Sequence, residues 1–416
     1  MKTEGQFRSE LLERSKPTLH SIAVANRAVE SFGLKSDLSE FGNHLKTTRC
    51  QLTDSSGIVA QGLGKGIGNQ SRASGIFEAL EHLLSEKDWA SSRQDFLKLD
   101  LSSYDSELSN ASPDFGLIVG NSNVLLARTP YHSLNDFDTV LRYPVFLGNP
   151  NYISALEEER AFLDDFGLMR YSTNSGIASG LETFDSILHG LLEIIERDSL
   201  GVEFIRTVFS KTPKPVRNII PGSMPAHLRY LYKEIENETD GEVTLWECTS
   251  DLCVPAFLAR LSVPGYSEGT YFGSGASLFP AYAVERALLE TMQSFHAHSF
   301  NKMPLPIEGK KDLTRMPSYT RCFLDAGIFG FRGGEVLKSF SDVADPIKTM
   351  SIRRAENQVI FLSRVLESNG ISSYWRFLHS ETIKVTHVIA PKLERFHLLS
   401  HGIAVMPCAR GRSFLA

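Results

Sequence analysis

Three stretches far apart in this chain share one helical pattern, and that pattern limits what can be folded around them. In "HGLLEIIERD" (189–198) and the two residues before it, Ile187, Leu188, Leu191, Leu192, Ile194 and Ile195 fall on one side of a helical wheel. His189, Gly190, Glu193, Glu196 and Arg197 fall on the other. "SGIFEALEH" (74–82) sets Ser74, Gly75, Glu78, Glu81 and His82 against Phe77, Leu80 and Leu84. "RALLETMQS" (286–294) sets Arg286, Ala287, Glu290, Gln293 and Ser294 against Leu288, Leu289, Met292 and Phe295. Counted from the first glutamate, positions −4, −3, 0, +3 and +4 hold the polar or small set each time, and −3 is Gly, Gly or Ala. A solvated face ordinarily carries long Lys and Glu side chains. Small residues there imply that something approaches the backbone closely.

Glu78, Glu81, Glu193, Glu196 and Glu290, if gathered, would repel one another and raise each other's pKa. A divalent cation removes the conflict. Oxygen donors without clustered thiols point to Mg²⁺ rather than zinc, and Mg²⁺ commonly serves phosphates, which Lys65, Arg197 and Arg286 could meet. On pattern alone two readings stay open: one nucleotide–Mg²⁺ site, or three separate solvated faces. "GLGKGIG" (62–68) fits neither GxxxxGK[ST] nor GxGxxG. It reads either as a flexible strand-to-helix turn or as backbone amides and Lys65 turned toward phosphate. The two histidines of "FHAH" (295–298) point to different sides of a helix, so a joint metal site is not expected there.

The 416 residues are 42% hydrophobic and 22% charged, the balance of a globular protein. The net charge of −6 gives no basic footprint for nucleic acid. The start of the chain is polar and lacks an apolar signal core, and no run is long enough to span a membrane. Cys50, Cys248, Cys253, Cys322 and Cys408 are scattered, without CxxC spacing, so neither zinc nor a disulfide framework is expected, and a reducing cytoplasm is.

Residues 1–45 read as a helical, polar segment and 46–416 as the main domain, with recognisable motifs over 64–300 and a C-terminal part, 301–416. Strand, "DSSG" turn and strand precede a helix over 71–87. Strands are expected within 112–147, a helix over 183–209, two strands in "GEVTLWECTSDLCVPAFLARL", a strand in "GTYFGSGASL" and a helix over 280–299. Strand, glycine-rich loop and acidic helix thus occur three times, a weak pseudo-repeat in an α/β or α+β fold with mixed sheets.

These same residues resemble the YcaO family. The likeness lies in Gly64–Gly66 followed by a helix carrying Glu78 to His82, and in "NSGIASG" feeding a helix that carries Glu193 to Asp198. It extends to "TSDLCVPAF" (249–257) and to Gly273 through Gln293, all in the family's order. The resemblance implies a fold with three Glu-bearing helices around an ATP–Mg²⁺ site, and chemistry on peptide amides. It implies Glu78, Glu81, Glu193 and Glu196 as Mg²⁺ ligands and Arg197 and Arg286 on the phosphates. Lys65, Ser74, Asn174, Ser175, Glu290 and Gln293 follow as nucleotide-site residues. Two departures stand out. The family loop often reads Ser-Asn-Gly, whereas here it is Asn174-Ser175-Gly176. Many azoline-forming members end in a PxPxP tail, whereas this chain ends "VMPCARGRSFLA".

The activity implied is cyclodehydration of Cys, Ser or Thr to azolines in a ribosomally made peptide. The alternatives are a thioamide- or amidine-forming enzyme of the same family, or a non-catalytic subunit of a peptide-modifying complex. The near-complete glutamate set argues against the last. Expected partners are the peptide substrate, a separate leader-peptide-binding protein, a flavin dehydrogenase where azoles are made, and further subunits of a homodimer or hetero-oligomer. A neighbouring flavin dehydrogenase gene and a Cys/Ser/Gly-rich precursor would favour azoles. For the tail, a disordered basic end competes with one in which Pro407 stiffens the approach while Arg410 and Arg412 lie near substrate or phosphate.

Overall fold

Each acidic segment folds as a long helix laid across a strand that carries glycine, and the architecture is built from these three units. The computed structural model describes residues 12–91, 95–98, 124–136, 138–264, 270–301, 330–348, 350 and 352–415. The strand reading of 112–123, Cys322 and the first residues of the N-terminal segment lie outside them.

Helix α1 (Thr18–Ser31) leads into strands β1 (Lys35–Phe41), β2 (Leu45–Asp54) and β3 (Gly57–Ile67), which form an antiparallel sheet packed by α2 (Asn69–Ser91). Strands β4 (Asp95–Lys98), β5 (Leu125–Ser133) and β6 (Val140–Pro144), helices α3 (Val145–Gly148) and α4 (Glu157–Asp165), and strand β7 (Ile177–Gly180) precede α5 (Thr183–Phe204). Next come β8 (Val216–Ile219), α6 (Ala226–Thr239), β9 (Glu242–Glu247), β10 (Ala256–Ser262), β11 (Thr270–Ala276) and α7 (Pro280–Asn301). The last described elements are β12 (Glu335–Lys338), α8 (Ala355–Ser368), β13 (Tyr374–Ser380), β14 (Lys384–Ile389), a 3₁₀ turn (Phe396–His401) and α9 (Ala409–Arg412). A five-stranded sheet runs β11-β10-β9-β8-β12, its last pair parallel. A six-stranded sheet runs β4-β5-β13-β14-β7, with β6 beside β5. The mixed α/β fold expected from sequence is the one observed.

The apolar faces named from sequence are the core. Ile187, Leu188, Leu191, Leu192 and Ile195 of α5 pack with Val388 of β14 and with Val359, Leu362 and Leu366 of α8. Ile76, Leu80 and Leu84 of α2 meet Ala25 and Val29 of α1, and Leu288 and Met292 of α7 meet Phe257 and Leu261 of β10. Most of the 22 residues of α5 are buried, including Gly190, Glu196 and Asp198 on its polar side. That excludes a solvated face for this helix.

The small residue at −3 has a structural cause. A Cβ on Gly75 would meet the Thr48 carbonyl, and one on Gly64 would overlap the α2 backbone at Ser71 and Gly75. A Cβ on Gly190 would meet the Gly176 carbonyl. Those on Gly273 and Gly275 would run into the α7 backbone at Ala287, Thr291 and Ala283. What approaches each helix is the backbone of its own partner segment.

Three expectations are corrected. "GLGKGIG" is no turn: Gly62 to Ile67 lie inside β3, paired to β2 with Lys65 opposite Thr47. Its alternate glycines serve helix packing, and "GSG" likewise lies inside β11. The first 45 residues are not only helical, because β1 pairs β2 from Lys35↔Thr53 to Phe41↔Thr47, so one ladder crosses residue 45. As an exposed, polar edge strand, β1 carries no apolar alternation to betray it. The helix expected to 209 is α-helical to Phe204 and closes in a π-turn, Ile205–Phe209.

Gly273→Ala should therefore destabilise the protein by at least about 2 kcal/mol, because rigid backbone faces the added methyl. Gly222→Ala, with open space at its Cβ, should stay within about 0.5 kcal/mol. Denaturant midpoints of the two variants check the contrast, and equal effects would remove the packing role.

Candidate active site

The polar sides of α2, α5 and α7 face one another, and their charged groups interact across a shared interior. Lys65 of β3 pairs with Glu290 of α7. Glu196 of α5 accepts hydrogen bonds from the Ser274 hydroxyl (2.6 Å) and the Ala276 amide (3.1 Å) of β11. Arg197 Nη1 lies 3.4 Å from Glu196 and its Nη2 3.8 Å from Glu193, whose carboxylate accepts from the Gly176 amide at 3.3 Å. Arg286 Nη2 lies 3.8 Å from Glu196, and its Nη1 reaches His189 Nδ1 at 3.3 Å. Gln293 donates to the Leu63 carbonyl, tying α7 to β3.

Electrostatics unite the cluster. Burial pushes the Glu81 carboxyl well above its ordinary range, and the Glu193 and Glu78 charges add to it. Burial also raises Glu78, against the pull of His82 and Lys65, and raises Glu193, against that of Arg197. Desolvation also acts to raise half-buried Glu290, yet Lys65 and Arg197 bring it below the usual carboxylate range. Burial first, then Arg14 and Arg286, hold His189 neutral. The carboxylates of three helices thus feel one another as the pattern implied, while Lys65, Arg197 and Arg286 stand among them. Among the described residues, no three His, Cys, Asp or Glu side chains already stand in metal-ligating geometry.

Other candidates are less closely drawn in. Ser74 is half-buried on α2, one turn before Glu78, and Asn174 is exposed. Ser175 bonds Thr173 at 2.7 Å, next to the Gly176 amide that Glu193 accepts. The two histidines of "FHAH" diverge: His296 bonds Thr47 and Glu238, and His298 meets the Tyr271 ring edge-on.

The sequence reading missed Glu13 and Arg14. Glu13 is buried 3.4 Å from Arg286, and Arg14 donates to the Ser179 carbonyl at 3.0 Å. No periodicity marks them, because they precede the first helix and reach the site through tertiary contacts alone. The C-terminal segment is not the disordered end that one of its readings expected. Arg410 forms a two-bond fork to Asp198 of α5 (2.7 and 2.9 Å) and another to Asp251 (2.6 and 3.1 Å). Glu394 accepts the Cys408 amide at 2.9 Å. The tail is clamped, and Arg410 is committed to carboxylates, while exposed Arg412 bonds the Pro407 carbonyl.

Comparison with known proteins fits this geometry. Residues 63–394 match the model of the family described as YcaO cyclodehydratase, ATP- and Mg²⁺-binding. No curated protein matches the chain. Among solved structures it is similar to a heterocyclase in complex with substrate and cofactor, with a TM-score of 0.66 at 17% identity over 92% of this chain. The match covers only 53% of that heterocyclase, so the chain spans about half of its length. It is similar to YcaO from Methanopyrus kandleri bound with AMPPCP and Mg²⁺, with a TM-score of 0.66 at 19% identity, over 96% of this chain and 98% of that one. It is also similar to a chain of the E. coli microcin synthetase McbBCD complex, with a TM-score of 0.56 at 16% identity, over 87% and 88%. At such identities the likeness is one of fold. No described helix is long and apolar enough to cross a membrane.

Two stability measurements test the site. Glu81→Gln should stabilise the protein at pH 7, in the absence of nucleotide and Mg²⁺, because the folded state disfavours the Glu81 charge. A carboxyl whose pKa is raised on folding holds its proton more tightly when folded. Its stabilising effect is complete below the ordinary value of 4.5 and is lost as pH rises through the raised one. The gain should vanish as pH falls toward 4.5, and a wild type more stable than the variant at pH 7 would contradict the electrostatics. Arg410→Ala should cost about 3 kcal/mol or more, because Asp198, fully buried, loses its partner. Arg412→Ala should stay within about 0.5 kcal/mol.

Proposed function

The chain belongs to the YcaO family, and on that premise we propose that it spends ATP to activate a backbone amide of a peptide, converting Cys, Ser or Thr residues of a ribosomally made peptide into azolines. The observation that carries the reading is the meeting of acidic helix faces from three sheets, with Lys65, Arg197 and Arg286 among their carboxylates.

The family is ATP- and Mg²⁺-binding, and the donor set suits that pair. Buried carboxylate oxygens with raised pKa values and no thiolate among them are hard ligands waiting for a hard cation. Glu78, Glu81, Glu193 and Glu196 would hold Mg²⁺, which supplies charge neutralisation for the phosphates. Lys65, Arg197 and Arg286 would bind the phosphates. Ser74, Glu290 and Gln293 would complete the nucleotide site, with Asn174 and Ser175 at its margin.

An amide oxygen is a poor leaving group, and phosphorylation makes it a good one. The protein's share of the chemistry is then positioning and electrostatics. Glu196 suits a fixed ligand because Ser274 and the Ala276 amide orient its carboxylate. Partner proteins are in keeping with the likeness to a chain of the microcin synthetase McbBCD complex, and the one we expect here is a protein that binds the leader of the peptide. A flavin dehydrogenase would act afterwards, where azolines are oxidised. The alternative is a thioamide- or amidine-forming reaction, in which an external nucleophile meets the same activated amide.

The test is incubation with Mg²⁺-ATP, the partner and precursor peptides encoded beside the chain. The expected outcome is loss of one water per modified Cys, Ser or Thr, with ADP and phosphate formed in equal amounts. Glu196→Gln should lower this turnover by about 100-fold or more while the protein stays folded. Replacement of the carbonyl oxygen by sulfur would favour the thioamide reading, and modification without ATP consumption would overturn both.

A further inference from the structure

Arg197 also lines a cavity of about 40 Å³. Its polar lining includes Arg197, Ser175, Tyr143, Glu394, Arg395, His387 and His397. Its apolar lining comes from Ile194 of α5, Val388 and Ile389 of β14, and Leu393. Most of these polar groups are already engaged. Glu394 accepts the Phe396 and Cys408 amides, and Arg395 bonds the Tyr171 carbonyl and the Tyr143 hydroxyl. His387 Nδ1 is taken by the Tyr131 hydroxyl at 2.9 Å. Two ring nitrogens of this lining, His387 Nε2 and His397 Nδ1, are buried without a hydrogen-bond partner. Such a nitrogen is costly, and of the two rings His397, 3% exposed, is the one whose other nitrogen is not also unpartnered or held by a neighbouring hydroxyl. Half-buried Thr173 and Ser175, both in the lining, flank exposed Asn174 in the chain.

We propose that this cavity seats the side chain of the substrate's reacting Cys, Ser or Thr, and that His397 accepts its proton as it attacks the preceding carbonyl. The proposal rests on the ATP-dependent reading of the adjoining site. The Sγ–H or Oγ–H bond breaks, its electron pair forms the bond to the carbonyl carbon, and the proton goes to His397. The carbonyl π pair moves to oxygen, which takes the γ-phosphoryl group of ATP with release of ADP. Loss of the amide proton and of phosphate then forms the C=N bond, and His397 returns its proton to solvent. Arg197 joins the two halves, because it lines the cavity and also faces Glu193 and Glu196. Burial first, then Arg197, His401 and Arg395, keep the His397 ring uncharged, which leaves it in the accepting form but lowers its basicity.

The test uses the full chain with labelled histidine and N-acetyl-glycyl-cysteinamide, its serine analogue and its alanine analogue as probes. His397 ring signals are assigned by their loss in His397→Gln, a variant of similar size. With AMPPCP and Mg²⁺ bound, the cysteine and serine probes should shift those signals saturably. The alanine probe, lacking the X–H group, should bind at least about tenfold more weakly, the loss of roughly one hydrogen bond. His397→Gln should keep its AMPPCP affinity within about twofold while peptide modification falls by about 100-fold or more. If AMPPCP–Mg²⁺ binds but neither probe moves the His397 ring, or if His397→Gln modifies peptide at the full rate, the cavity has no such role. If AMPPCP–Mg²⁺ does not bind at all, the parent reading of an ATP site falls instead.

Discussion

The fold depends on how closely a strand can approach a helix. Gly62 and Gly64 of β3 bring that strand against the α2 backbone, Gly273 and Gly275 do the same for β11 on α7, and Gly176 approaches Gly190 of α5. A side chain at any of these positions would push the helix away from its partner. The polar faces would separate with it, since Glu290 reaches Lys65 and Gln293 reaches Leu63 only from a tightly docked helix. The glycines that resemble a phosphate-binding loop thus act one step earlier, by fixing the distance between carboxylates on different helices.

That closeness creates the electrostatic problem of the site. Glu78, Glu81 and Glu193 are held where burial and mutual repulsion favour their protonated forms, while Glu290 is kept charged by Lys65 and Arg197. A site arranged this way is destabilised when empty and relieved by cations, which is the usual relation between stored strain and function. Arg197 and Arg286 occupy the middle of the arrangement, and Glu13 closes one end of it on Arg286.

Much of this was legible because it is periodic. The apolar stripes of α2, α5 and α7, their glutamates, and the residue at −3 all follow helical spacing, and a 3.6-residue period survives without knowledge of tertiary structure. The meaning of the −3 position was only half legible. Sequence says that something comes close, but only the fold identifies it as a neighbouring backbone segment. What escaped had no period. Strand β1 is an exposed polar edge, Glu13 and Arg14 lie in irregular backbone before the first helix, and His397 sits in a 3₁₀ turn of six residues. The order of the tail was not legible because a terminal run with two arginines resembles a mobile basic end. Its order comes from Asp198 and Asp251, which lie 212 and 159 residues away from Arg410.

Those distant acids also explain how one helix can serve two chambers. Along α5, Glu193 and Glu196 face the carboxylate cluster, Arg197 faces both the cluster and the histidine cavity, and Asp198 faces away to Arg410. Consecutive residues on a helix are 100° apart, so Glu196, Arg197 and Asp198 necessarily point in three directions. The Asp198–Arg410–Asp251 clamp pins α9, and the Cys408 amide on Glu394 pins the start of the turn that carries His397. Under the proposed function, phosphate beside Arg197 would offset the cation that depresses His397, so the base would gain strength when nucleotide is in place. The coupling needs no moving part. It follows from one guanidinium shared between two low-dielectric spaces, where each added charge is felt in the other.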